Sequence, residues 1–196
     1  MTIHPIIILI RGLPGSGKSH LTQPLAEAIE AVTGHKVTML DPDATDYESD
    51  AYIEHSRKLT EEGVDEKLHA YRFLRGQAYD TIAQHGVAIW NQPFTNLDIF
   101  NKMTSRFHEQ AERAGTKVEI VVVEVEINPT VAKERVTKRK NSGGHGPSDA
   151  TFERFVHDYT SFSPHGYNTV TVQGQDEVAT SVTTILSKII PLLNQA

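Results

Sequence analysis

The strongest constraint on this chain lies within its first twenty residues. Ile6-Ile7-Ile8-Leu9-Ile10 is an uninterrupted aliphatic run, and after Arg11 comes Gly12-Leu13-Pro14-Gly15-Ser16-Gly17-Lys18-Ser19. A short apolar run bounded by glycine and proline reads as a buried strand. The segment behind it satisfies G-x-x-x-x-G-K-[ST], and Leu21, Leu25, Ile29 and Val32 then recur at helical spacing. They predict a helix from His20 to about Thr33, stopped by Gly34. Strand, glycine-rich turn and helix, in that order, are the setting in which this motif holds phosphate. Glycines let successive backbone N–H groups curl inward onto phosphate oxygens, and the first amides of the helix face the same anion. The pattern predicts a nucleoside-triphosphate site. Gly12 to Gly17 wrap the phosphates, Lys18 neutralises them, and the Ser19 hydroxyl is a ligand for Mg²⁺.

Strands and helices alternate through the rest of the chain. Lys36 to Leu40 reads as a strand that Pro42 ends, leaving Asp41 and Asp43 just past its C-terminal edge. In open α/β sheets that edge is where ligands bind. Residues 44–64 are polar and acidic and read as a mobile helical excursion on the substrate side. Leu68, Tyr71, Leu74, Ala78 and Ile82 mark a long helix ending at Gly86, and Val87 to Trp90 a strand closing in Asn91-Gln92-Pro93-Phe94-Thr95. A helix is expected from about Leu97 to Arg113, and a β-branched strand from Val118 to Ile127. Glu119, Glu124 and Glu126 predict that one end or face of that strand lies near water. Asn128-Pro129 opens a helix, and Asn141 to Pro147 is the most flexible-looking stretch. A helix capped by Ser148 or Asp149 carries Phe152, Phe155 and Tyr159; a strand at 169–172 and a helix with Val178, Val182, Ile185 and Ile189 on one face complete the chain. The alternation predicts one doubly wound α/β domain over residues 1–196, with a five-stranded parallel sheet covered on both sides.

Composition removes several function classes. A net charge of −6 argues against a protein whose main task is coating nucleic acid, although a local groove can still be basic. With no cysteine, disulfides, thiolate metal sites and cysteine nucleophiles are excluded. The ten histidines show no metal-ligand spacing. No stretch approaches the length of a membrane span, so the expected compartment is the cytoplasm and no membrane partner is expected.

A phosphate-binding loop serves kinases, switches and motors alike. Guanine-specific switches read their base with N-K-x-D, whereas the only Asn-Lys here continues as Met103-Thr104. Motor ATPases carry an acidic pair after a hydrophobic strand, where this chain has Asn91-Gln92. The positive sign is a basic helix leading into a glycine-rich segment. Arg135 and Arg139 lie four apart on one helix face, and residues 135–147 read as a lid able to cover the phosphates. A lid that excludes water is the requirement of a kinase, whose acceptor must outcompete hydrolysis.

Gly12–Ser19, Asp41-Pro42-Asp43 and Arg135-x-x-x-Arg139 together resemble the P-loop kinases that include phage polynucleotide 5′-kinase and the zeta-toxin family. The resemblance spans residues 6 to about 160. It implies an ATP·Mg²⁺-dependent phosphotransferase with Asp43 acting toward an acceptor hydroxyl and Arg135 and Arg139 on the transferring group. By position, Asp41, Gln92, Thr95 and Asn96 are candidate substrate contacts, with a turn-and-cap role as the alternative for Thr95 and Asn96. The implied acceptor is a small molecule or a nucleotide sugar, and the resemblance admits an antitoxin-type protein partner. One departure weighs against a nucleic-acid end as acceptor: polynucleotide kinases carry an acid before Thr-Asn-Leu, and here Phe94 precedes Thr95-Asn96-Leu97. A polynucleotide 5′-hydroxyl kinase, and a nucleotide-dependent regulatory protein with slow hydrolysis, are the alternative readings.

Overall fold

Strand β1 (Ile6–Arg11) lies at the centre of the molecule and decides how everything else is arranged. In the computed structural model, which describes residues 4–193, it pairs in parallel with β3 (Val87–Asn91) on one side and β4 (Glu119–Glu126) on the other. β2 (Val37–Leu40) pairs with β3, and β5 (Asn168–Gln173) with β4, giving the all-parallel order β2-β3-β1-β4-β5. Parallel strands are joined by helical crossovers that cover both faces, so a central strand must be apolar throughout. All five residues from Ile6 to Ile10 have no solvent exposure. Truncating Ile8 to alanine would cost about 2–5 kcal/mol.

Alternation of side chains along β1 separates two cores. Ile6, Ile8 and Ile10 face α1 (Lys18–Thr33) and α7 (Val178–Leu193), with Leu25, Ile29, Ile185 and Ile189. Ile7 and Leu9 face α3 (His69–Ala83) and α4 (Leu97–Arg113), where Leu74, Trp90, Phe100 and Phe107 pack. A third, smaller cluster joins Leu13 of the glycine-rich loop to α5 (Pro129–Asn141) and α6 (Asp149–Asp158) through Ala132, Val136 and Phe152. The polar segment after β2 is helical, as expected, with α2 at Asp50–Glu61. Among the described residues no helix is long and apolar enough to cross a membrane.

Local signals account for most element ends. Gly34 (φ +70°) closes α1 by returning its N–H to Glu30 O, and Asn128 and Ser148 cap α5 and α6 through their side chains. α1 begins at Lys18, two residues before the expected start at His20, because the motif lysine and serine form its first turn. α3 stops at Ala83, and His85 (φ +55°), not Gly86, takes the left-handed turn that follows. The expected wet end of β4 is at Glu126, which is exposed, and Glu119 at the other end is half-buried. Glu124 does not face water: it is 1% exposed and is paired with the fully buried Arg11. A carboxylate in the middle of a valine run is tolerated there because a guanidinium from the neighbouring strand meets it.

Candidate active site

The connections from β1 and from its two neighbours leave in opposite directions, which opens a crevice at the C-terminal end of β1. The loop Gly12–Gly17 occupies that crevice. Its close approach to α5 requires glycine: at Gly15 (φ +85°) a Cβ would lie 2.4 Å from Ala132 O. The loop is closed by Ser16 N donating to Leu13 O at 3.0 Å, while the amides of Gly15, Gly17, Lys18 and Ser19 are left without an acceptor among the described residues. Ser16 Oγ is buried and likewise unpaired. Convergent amides at a helix N-terminus form an anion cradle. Lys18 crosses it, donating to Gly12 O at 2.8 Å and Leu13 O at 3.0 Å. Burial, and secondly the nearby Arg139, bring its pKa down from 10.5 to about 8, against the opposing pull of Asp41 and Asp43.

The two acids after β2 sit differently. Asp41 Oδ2 accepts from Asn91 Nδ2 at 2.8 Å, and the same amide lies 3.3 Å from Ser19 Oγ. Asn91, at the end of β3, thus ties Asp41 to the motif serine. Asp41 Oδ1 accepts the Asp43 amide at 2.9 Å, which turns the chain and leaves the Asp43 side chain exposed. The turn is braced by Thr45 Oγ1 donating to Asp41 O and Tyr47 Oη donating to Pro42 O, both at 2.7 Å. Among the described residues no three acids or histidines gather around one point. The oxygens of Ser19 and Asp41, with the buried and unpaired Asn91 Oδ1 beside them, are hard donors too few to enclose an ion. Such a set fits Mg²⁺, which keeps water and phosphate ligands of its own.

Of the two arginines of α5, Arg135 reaches the loop directly. Arg135 Nη1 donates to Gly174 O at 2.9 Å and approaches Gly15 O at 3.4 Å, and Arg139 is near enough to Lys18 to shift it. Of the three polar residues expected at the substrate edge, Asn96 is engaged locally, its Oδ1 accepting from Ile99 N at 2.9 Å as the cap of α4. Gln92 hydrogen-bonds through its backbone to Ile10 O, and the half-buried Thr95 flanks the same loop. Between them Phe94 holds a left-handed φ of +46°, an outlier for a bulky residue. Sequence reading did not single out Asn91, Arg11, Glu124 or Gly174, whose Cβ would meet Ser16 O at 2.0 Å. For Asn91 the signal was its place at a strand's C-terminal edge, where only the lack of an acid was noticed.

A parallel sheet of this order, with a glycine-rich phosphate loop at the strand where the connections part, defines a P-loop NTPase of kinase-like fold. The chain belongs to the AAA domain family, whose sequence profile matches residues 7–163. No functionally curated protein matches it by sequence. Among solved structures it is similar to a gluconokinase from Sinorhizobium meliloti 1021, with 17% identity, a TM-score of 0.58, and 97% of this chain and 95% of that one covered. Chaetomium thermophilum Kti12, solved with ADP-AlF3, gives 16%, 0.63, and 95% and 98%. A deoxyadenosine kinase from M. mycoides with bound dATP gives 15%, 0.51, and 93% and 98%. At these identities the likeness is one of fold.

Proposed function

We propose that this protein transfers the γ-phosphate of ATP to a hydroxyl of a small molecule or nucleotide sugar. The observation that carries this reading is the placement of two carboxylates after β2 at the motif's edge. Asp41 is linked to Ser19 through Asn91, and the exposed Asp43 acts electrostatically on Lys18. The free loop amides and Lys18 would hold the phosphates. Ser19 and Asp41 would hold Mg²⁺, which neutralises phosphate charge when bound. Asp43 accepts the hydrogen of the acceptor hydroxyl and takes its proton as transfer completes. Arg135 and Arg139 approach the transferring group from α5 and counter its charge.

Asn91 favours transfer over hydrolysis. An amide at the end of β3 cannot act as the general base that a motor ATPase directs at water. The zeta-toxin-like affinity rests on the Asp41-Pro42-Asp43 spacing, and with it any antitoxin-type partner. The test is γ-labelled ATP with Mg²⁺ and a panel of nucleotide sugars, simple sugars, alcohol-bearing antibiotics and 5′-hydroxyl oligonucleotides. Label is expected on one small-molecule acceptor, to be lost in Asp43→Asn with nucleotide affinity retained. Transfer by Asp43→Asn at the wild-type rate would remove Asp43 from its role. Label released only to water, even with a broad metabolite extract, would favour the regulatory reading.

A further inference from the structure

Arg11 is used by none of the chemistry above, yet it is fully buried and bonded through Nε and Nη1, with Nη2 left unpaired. Its Nε donates to Phe94 O at 3.2 Å, and its Nη1 to Glu124 Oε1 at 2.5 Å and to Thr160 O at 2.7 Å. The guanidinium plane is sandwiched between the rings of Phe162, 3.6 Å from its Cζ, and Tyr159, 4.3 Å away. Glu124 also accepts from Ser161 Oγ and Phe162 N, each at 2.7 Å. A buried ion pair is weak evidence for stability, because an apolar pair of similar volume is often as stable. What this one supplies is a polar tie between two segments that otherwise meet through the ring of Phe100.

At one end is the acceptor-side loop, residues 92–96, where the Arg11 bond lands on the carbonyl of the strained Phe94. At the other is the chain leaving α6. That helix packs with α5 and with Leu13 of the phosphate loop in one apolar cluster that reaches Tyr159. Lys133 of α5 and Glu153 of α6 add an ion pair at 2.6 Å. α5 bears Arg135 and Arg139, so phosphates drawn to those arginines act on the hairpin α5–α6 as a unit.

We infer that Arg11, held by Glu124, is a positioning residue that makes the acceptor-side loop follow the nucleotide-side hairpin. The inference rests on the nucleotide-binding part of the proposed function and needs no knowledge of the acceptor. A planar guanidinium bonded to Thr160 O and Phe94 O cannot let one shift without straining the other. A lysine ammonium keeps the charge toward Glu124 but lacks the rigid fork that spans the three acceptors.

Trp90 is the chain's one tryptophan, and its ring lies 6.1 Å from Phe94 and 5.6 Å from Tyr71, so its emission reports on this loop. Mg–ADP would be titrated into wild type, Arg11→Lys and Ser161→Ala, with calorimetry on the same samples. In wild type a saturable emission change is expected at the calorimetric Kd. Arg11→Lys should bind within about threefold of the wild-type Kd and lose most of the emission change, since the tie and not the cradle is altered. Ser161→Ala, which keeps the ion pair and removes one donor to Glu124, should lose part of it. A full emission change in Arg11→Lys, or none in a wild type that binds calorimetrically, overturns the inference. Should Arg11→Lys not fold by circular dichroism, a wild-type response from Ser161→Ala overturns it. No calorimetric binding by wild type overturns the nucleotide reading itself, and the inference with it.

Discussion

Nucleotide affinity should fall with pH through the deprotonation of Lys18. In the free protein Lys18 is 9% exposed, and burial brings its pKa to about 8. A polyphosphate calls for the charged form, so binding must draw a proton wherever the free protein has released one. With a pKa of about 8, the neutral fraction is about one-tenth at pH 7, one-half at pH 8 and nine-tenths at pH 9. The apparent Kd for Mg–ADP is then expected to rise about twofold at pH 8 and about tenfold at pH 9 above its low-pH limit. That is a loss of about 0.4 and about 1.4 kcal/mol. Calorimetry in buffers of differing ionisation enthalpy gives both quantities, with proton uptake of about 0.1, 0.5 and 0.9 per site at the three pH values. Lys18→Arg, which does not titrate in this range, should flatten both curves. A Kd constant from pH 7 to 9 with no uptake, or the same slope in Lys18→Arg, would refute the argument from burial.

Glu124→Ala leaves the Arg11 guanidinium buried without its counter-charge, and should cost about 3–5 kcal/mol, or about 6–20 °C in Tm. A melt within about 2 °C of wild type would show that the Arg11 guanidinium does not need Glu124 as its counter-charge. Gly174→Ala puts a methyl group on Ser16 O and should weaken Mg–ADP at least about tenfold with unchanged circular dichroism; an unaltered Kd would show that the β5–α7 turn yields. Asn96→Ala removes the α4 cap and should cost about 1 kcal/mol in denaturant unfolding, with transfer kinetics untouched. A raised acceptor KM at unaltered stability would return Asn96 to the substrate.

Much of this architecture can be read locally, because the determinants are local. The phosphate loop lies between an aliphatic run and a periodic helix, and α4 begins and ends where its cap and Gly115 predict, at Leu97 and Arg113. The acids after β2 are legible because Pro42 stops the strand. What escaped reading was every pairing made across the sheet. Glu124 looked wet because the arginine that neutralises it is 113 residues away. Asn91 was noticed for the acid it is not, since Asp41 and Ser19 are 50 and 72 residues distant. Gly174 belongs to no motif; only the folded chain brings it against Ser16. A single sequence specifies such contacts without displaying them, as periodicity reports which face is buried but not what meets it.

The central position of β1 has a consequence for how the chain is made. Ile6 to Ile10 leave the ribosome before their hydrogen-bonding partners β3 and β4, which start at Val87 and Glu119. At about 5–20 residues per second, the first of these emerges about 4–16 s later. Until then a five-residue aliphatic stretch without charge or proline, the composition that favours intermolecular strand stacking, has no native neighbour. Arg11 at its end is the nearest charge that can discourage such pairing. The segment that shapes the phosphate loop in the finished protein is therefore also the one most in need of shelter during synthesis.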